Sequence, residues 1–361
     1  MPSSSHFFTV VKRAISDRTE SMNTSPMSNC TPICAPLSRR RFLKGGTAGL
    51  LGASMAGGWP LVQPAHAAPG KASRSETLVT SLHKTLTDQQ RAAICMPFDH
   101  PLRSKVDNNW QITKPTIGEF FTRDQQAMIQ EIFLKLHSPE YAEKVLHQVA
   151  HDAGKEGFGA CSVALFGEPG TGKFEFVLSG RHVTRRCDGD SVEGAAFGGP
   201  IFYGHSPQGD NEKPDHPGNA YWFQALRANE VFKALDGRQR NLALLGDSRE
   251  EEATKTVKLT GRTRDLPGIP LTELSRDQKD LVRKVMRDLL APFRSEDSDE
   301  AMKLIEKRGF DHLHMAFFKN EDIGKDGVWD VWQIEGPAMV WYFRGKPHVH
   351  TWVHIRENVE A

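Results

Sequence analysis
Through most of its length the chain spaces its apolar residues as a helix does, and toward its end as a strand does. The clearest helical stripe is Leu281, Val285 and Leu289, in a segment that opens at Ser275. The same spacing predicts helices near 77–95, 121–137, 139–151, 219–243 and 275–291, separated by Pro/Gly-rich connections at 97–118, 198–218 and 261–270. Three predicted starts share one pattern: Leu86-Thr87-Asp88-Gln89-Gln90-Arg91, Leu235-Asp236-Gly237-Arg238-Gln239-Arg240 and Leu274-Ser275-Arg276-Asp277-Gln278-Lys279. A fainter echo is Phe121-Thr122-Arg123-Asp124-Gln125-Gln126. Each offers a capping side chain followed by a polar first turn. Their spacing is too irregular for a solenoid, so they are read as recurring caps.

Period-two alternation predicts strands over 158–166 and, after a Gly/Pro turn, 173–184. Four more fall at 312–318, 328–334, 338–343 and 348–355, with tight breaks at Gly336-Pro337 and Gly345-Lys346. Helices that precede and strands that follow, joined by short turns, predict an α+β fold: an antiparallel sheet flanked by helices in a single compact domain spanning 68–361.

Charge divides the chain differently. The formal net charge is +1, but Lys12, Arg13, Arg18, Arg39, Arg40, Arg41 and Lys44 all lie in the first 67 residues, against Asp17 and Glu20. Ser38-Arg39-Arg40-Arg41-Phe42-Leu43-Lys44, a soft Gly/Ala-rich apolar run at 45–62 and Ala65-His66-Ala67 have the order of a twin-arginine signal with its cleavage site. Residues 1–67 are therefore expected to be a signal peptide with an N-terminal extension. It would engage the twin-arginine translocon, and a periplasmic or secreted protein of charge about −4 would remain. Such a surface argues against nucleic acid as a partner. No stretch beyond the leader has the length of a membrane anchor. Cys95, Cys161 and Cys187 remain after cleavage, which permits one disulfide and a spare thiol without choosing the pair.

The histidines carry the chemistry. Residues two apart on a strand share a face, so His312 and His314 point together, as do His348, His350 and His354. His182 is expected on the buried face of its strand with Phe174, Phe176 and Leu178. Imidazole is the commonest neutral metal ligand, and two H-x-H pairs on neighbouring strands bring several ring nitrogens together. Two other motifs fail on inspection. Gly167-Glu168-Pro169-Gly170-Thr171-Gly172-Lys173-Phe174 has phosphate-loop spacing, but Phe174 stands where magnesium needs a hydroxyl, so it is read as a hairpin turn. His147-Gln148-Val149-Ala150-His151 lacks the glutamate of a zinc protease and reads as a surface pair on an amphipathic helix. Gly-x-Ser-x-Gly is absent.

Leu178-Ser179-Gly180-Arg181-His182, the stretch from Phe197-Gly198-Gly199-Pro200 to Gly204-His205-Ser206-Pro207, the Leu-x-x-x-Gln-Arg helix starts, Ile334-Glu335-Gly336-Pro337 and His348-Val349-His350 resemble an uncharacterised bacterial exported family, domain of unknown function 3500. The resemblance covers nearly the whole chain after the leader. It implies export and one compact domain, and brings no reaction. Where that family has Gly-His-His this chain has Gly180-Arg181-His182, so only His182 carries over.

The reading is an exported metal-binding protein, a copper- or iron-dependent oxidoreductase in which His182, His314, His348 and His350 hold the ion, copper or iron being favoured over zinc. His312 and His205 are further ligand candidates, and Glu335 is a carboxylate ligand or orients a histidine. Trp329, Trp332, Trp341, Tyr342 and Trp352 are read as lining a pocket for a small-molecule substrate or as carrying electrons, and core packing explains them at least as well. The alternatives are a metal-assisted hydrolase, with Glu335 or Asp311 as base, and a non-catalytic ligand- or metal-binding protein.

Overall fold
The computed structural model describes residues 74–206, 218–320 and 327–359. The signal-peptide expectation lies outside them. Helices α1 (Arg74–Thr85) and α2 (Asp88–Ile94) lead into β1 (Cys95–Met96). Short α3 (Ile117–Phe120), α4 (Arg123–Lys135) and α5 (Ala142–Asp152) follow, then β2 (Ser162–Gly167), β3 (Phe174–Gly180), β4 (Val183–Cys187) and β5 (Ile201–His205). The order then repeats: α6 (Phe223–Ala234), α7 (Gly237–Ala243), β6 (Leu244–Leu245), a bridge strand β7 (Ile269–Pro270), α8 (Arg276–Leu289), α9 (Ser295–Lys307), β8 (His314–Phe318), β9 (Val331–Gly336), β10 (Met339–Arg344) and β11 (Val349–Ile355).

The strands form one 11-stranded sheet in the order β1-β2-β3-β4-β5-β11-β10-β9-β8-β6, with β7 beside β8. The outer pairs β1/β2 and β6/β8 are parallel and the rest antiparallel. This order is palindromic, and the registers agree with it. Gly180 opposes Val183 in the first half as Gly336 opposes Met339 in the second. Val183 opposes Tyr203 as Met339 opposes Ile355. Two halves of like topology thus meet at the β5/β11 seam, and the pseudo-two-fold axis passes through the Ile201–Val353 pair.

The recurring caps are part of this duplication. Thr87, Thr122, Asp236 and Ser275 each form a capping box with the glutamine three residues on, which satisfies two otherwise orphaned backbone donors. In the first half Gln90 and Gln125 bond each other through their amides, at 2.8 and 3.0 Å. In the second half Gln239 and Gln278 do the same, at 3.0 and 2.7 Å. Each pair ties a short helix to a long one, so a cap signal is reused as a tertiary contact.

Helices cover one face of the sheet, where Val282, Val285, Met286 and Leu289 of α8 and the inward stripe of α4 join the main core. The opposite face is covered by the long connections 97–116 and 246–268, whose Val106, Val257 and Leu259 pack on Phe202, Trp352, Tyr342 and Val340. The α+β expectation therefore holds, with the helices on one side. The tryptophans at 332, 341 and 352 are fully buried core residues; Trp332 stacks on Phe343 at 5.4 Å.

Two expectations need correction. The predicted strand at 173–184 breaks at Arg181-His182, so His182 stands in a turn. The predicted connection at 198–218 contains β5, a central strand, and α9 was missed. Cys95, Cys161 and Cys187 are all free thiols; burial pushes Cys161 up to about 12 and is the main cause of the rise at Cys187.

Candidate metal centre
The site lies at one end of the seam, where the β3–β4 turn, the end of β5 and the start of β11 converge. His182 occupies the turn with φ 57°, a left-handed conformation that disfavours a residue with Cβ. Two backbone bonds hold it there: its N–H donates to the Asn108 carbonyl (2.8 Å), and its carbonyl accepts from Gly204 N–H (3.1 Å). Gly204 is required by close approach, since a Cβ there would lie 2.2 Å from the Val349 carbonyl oxygen. The gap brings β5 and β11 together and sets His182 beside His348 and His350. The ring centroids are 5.0 Å (His182–His348), 5.1 Å (His182–His350) and 4.7 Å (His348–His350) apart. One ligand nitrogen from each lies within 4.8 Å of the others.

Two carboxylates orient these rings from opposite faces of the sheet. From the helical side, Asp152 at the end of α5 accepts from His182 Nδ1 (3.0 Å), His205 Nδ1 (2.9 Å) and the Ser206 N–H (2.9 Å). From the loop side, Glu251 accepts from His350 Nδ1 (2.5 Å) and from Arg344 Nε (2.5 Å), while Arg344 Nη2 also lies against His350 Nδ1. A carboxylate can only accept, so His182 carries its proton on Nδ1 and presents a lone pair at Nε2, while His350 Nδ1 lies between the Glu251 acceptor and the Arg344 donor. His348 Nε2 faces His350 Nε2 at 3.0 Å, and His348 Nδ1 is buried without a hydrogen-bond partner. Imidazole nitrogens held about 2.0–2.1 Å from a tetrahedral ion stand about 3.3 Å apart. The facing nitrogens approach that spacing.

Their surroundings keep His348 and His350 neutral, the state that binds metal. Burial chiefly, then the neighbouring His350 and His182, lowers His348 to about 3. Burial lowers His350 to about 4 against the opposing pull of Glu251. Burial opposes ionisation of Asp152, yet its bonds from His182 and His205 outweigh it and hold the carboxyl at about 2. Glu251 is likewise held at about 2, burial being overcome by His350 and Arg344.

The remaining expected ligands lie elsewhere. His205 belongs to the neighbourhood but reaches it through Asp152. His314 and Glu335 oppose each other on β8 and β9. Since β10 and β9 separate β8 from β11, His314 is at least ~14 Å from the cluster at about 4.8 Å per strand. Glu335 is paired with Arg249 (2.5 Å) and Gln333 (3.0 Å). His312 is in the short turn before β8, its carbonyl against His314 Nδ1 (3.3 Å). These three histidine and carboxylate positions do not join the His182 group. The two H-x-H pairs share a sheet but sit at different places along and across it.

Sequence reasoning missed Asp152, Glu251 and His151. A signal for Asp152 existed: Val145, Gln148, Val149 and Asp152 form the buried stripe of α5, and an acid at a helix C-terminus opposes the helix dipole. The other polar member, Gln148, donates to the Gly204 carbonyl (2.7 Å) and accepts from the Ala220 N–H (2.7 Å), fixing the end of β5. Of the pair read as a surface feature, His147 is exposed, but His151 turns toward His205, 5.8 Å between rings. Glu251 lies in the charged run Arg249-Glu250-Glu251-Glu252, which reads as solvated loop.

The pseudo-two-fold supplies an internal comparison. By register, Ala338 stands where His182 does, and Ala195, opposite Arg356, stands where His350, opposite Gly204, does; counted from the first residues of α5 and α9, Leu304 and Ile305 stand where His151 and Asp152 do. The fold is thus built at that corner without any of these polar groups. No curated protein and no solved structure matches the chain. A family model does match, over residues 70–358, and the chain belongs to that family, described as protein of unknown function (DUF3500).

Proposed function
We propose that His182, His348 and His350 hold one transition-metal ion with a coordination position left open, and that the protein is a metal-dependent oxidoreductase acting on a small molecule. The observation that carries this is the convergence of three imidazoles, two of them fixed at Nδ1 by ionised carboxylates, the arrangement that orients metal ligands and raises their basicity. Three nitrogens and no carboxylate in the inner ring suit copper better than iron, whose open sites usually include a carboxylate. His348 is only half-buried and gives the ion a side toward solvent. The leader pattern at residues 38–67 supports a periplasmic or secreted setting for this chemistry.

A second reading, metal-assisted hydrolysis, is favoured by the ligand set itself, since three histidines with a fourth position open also suit catalytic zinc. Asp152 and Glu251 are both engaged by histidines, so neither is free to act as its base. Apoprotein titrated with Cu(II) and with Zn(II), wild type beside the His348→Ala/His350→Ala variant, tests both readings. Tight Cu(II) binding with nitrogen hyperfine structure in its paramagnetic resonance spectrum, lost in the variant, is the expected result. Tight Zn(II) in protein from its natural source, with no reducible centre, moves the reading to hydrolysis. Equal binding by wild type and variant overturns the site.

A further inference from the structure
We propose that His151, Asp152 and His205 form a second cation site, for a divalent transition-metal ion, linked to the first through the Asp152 carboxylate. This goes beyond the three-histidine centre and rests on its own residues. Asp152 Oδ1 has His205 Nδ1 at 2.9 Å and His151 Nδ1 at 3.5 Å, and one ligand atom from each of the three residues lies within 4.8 Å of the others. Adjacent ligands of an ion with bonds of about 2.1 Å stand about 3.0–3.4 Å apart. The three atoms bracket that range before any ion draws them in.

An ordinary account exists for part of this: His205 donates a proton to Asp152, and His151 is a surface histidine. That account leaves His151 Nδ1 unexplained. The atom is buried and makes no hydrogen bond, although the rest of the ring is open to solvent. Such a nitrogen faces, at 3.5 Å, a carboxylate oxygen that already has another imidazole against it, and is placed to share a cation with both. The exposed side of His151 supplies both an entry path and room for water on the ion. At the pseudo-symmetric corner Leu304 and Ile305 replace His151 and Asp152, so helix packing does not require either residue.

Binding takes a definite course. The ion displaces the proton from His205 Nδ1, which leaves to solvent, and takes Asp152 Oδ1, while Oδ2 stays on His182 Nδ1. Charge drawn from Asp152 weakens its hold on His182. The second ion therefore binds more weakly than the first and lowers the first site's affinity.

The test is equilibrium dialysis of apoprotein against Zn(II), with bound metal counted by elemental analysis in wild type, His151→Ala, His147→Ala and His348→Ala/His350→Ala. Wild type is expected to reach two equivalents, His147→Ala to keep both, and His151→Ala to lose the weaker one. Because His151 is partly exposed, its variant folds; near-ultraviolet dichroism verifies this. Saturation of wild type at one equivalent, or two retained in His151→Ala, overturns the second site. If the double variant keeps full binding, the first site fails, while the His151→Ala arm still decides the second.

Discussion
The two corners of the molecule related by the β5/β11 seam are built from the same elements and differ in what they bury. One holds His182, Asp152 and His350 under cover; the other places Ala338, Ile305 and Ala195 at the matching positions. Apolar residues satisfy that packing without ordered polar partners, so the polar corner is an added expense to stability that the duplicated fold does not require. The difference also separates scaffold from chemistry. What the halves share, the caps, glutamine pairs and strand registers, makes the fold, and what they do not share makes the candidate site.

The largest test imports one corner into the other. Asp152→Ile, the residue found at the counterpart position, leaves two buried Nδ1–H groups without an acceptor. It is expected to lower unfolding free energy by about 3–5 kcal/mol and metal affinity by about 10–100-fold, read by urea denaturation and dialysis. A loss under 1 kcal/mol would show that the two corners are equivalent after all.

Acidity probes the same contrast. His350 has its folded value lowered to about 4 from 6.5, so the unfolded chain binds the extra proton between those values. Stability is fully present above about 6.5 and falls as pH drops toward 4, by on the order of 3 kcal/mol. His348 acts in the same direction. Asp152 and Glu251, both held at about 2, extend the decline below pH 4. The sign reverses for Asp188 and Glu300, which burial chiefly pushes up to about 7; their contribution is fully present below about 4, is lost as pH rises to 7, and offsets the histidine limb. Removing the histidine contribution in His348→Ala/His350→Ala apoprotein should therefore leave stability falling from pH 4 to 7 more steeply than in wild type, and equal pH slopes in the two proteins would contradict the buried neutral histidines.

Smaller effects test what the halves share. Gln125→Ala removes a capping partner and a buried amide pair, for an expected cost of about 1–2 kcal/mol. Gln278→Ala, at the matching but more exposed position, is expected to cost less, about 1 kcal/mol. Opposite ranking in urea midpoints would break the structural equivalence. Smallest is Glu357→Gln at the position matching His205. It loses a partly exposed pair with Lys307 and should change stability by less than about 0.5 kcal/mol.

Much of the fold was legible because each element states itself locally. The stripe of α8, the alternation of β10 and the four caps needed no distant partner to be read. The duplication was not read from the sequence, although its signal was there in matching caps about 150 residues apart, an interval far longer than the repeat lengths of solenoids. β5 was hidden by Gly198, Gly199, Pro200 and Gly204, which read as loop although close strand approach needs Gly204. For the site, H-x-H spacing identified the pair His348 and His350 but could not distinguish it from His312 and His314. Face is set by alternation within a strand; neighbourhood is set by strand order across the sheet. Strand order is a global property, and it is what joins His182 to His350 and separates both from His314.

The placement of β11 has a consequence for how the protein comes into being. This strand is central in the sheet, yet it is synthesised after every strand it joins. Until it inserts between β5 and β10, the two halves are separate sheets with open edges, and His182 and Asp152 wait on one of them without His348 and His350. Closing the seam brings together segments about 150 residues apart, a slow, entropically costly step. Loading with metal is then expected to come after that step, and a nascent chain halted before Val349 should have its scaffold largely assembled and no centre to fill.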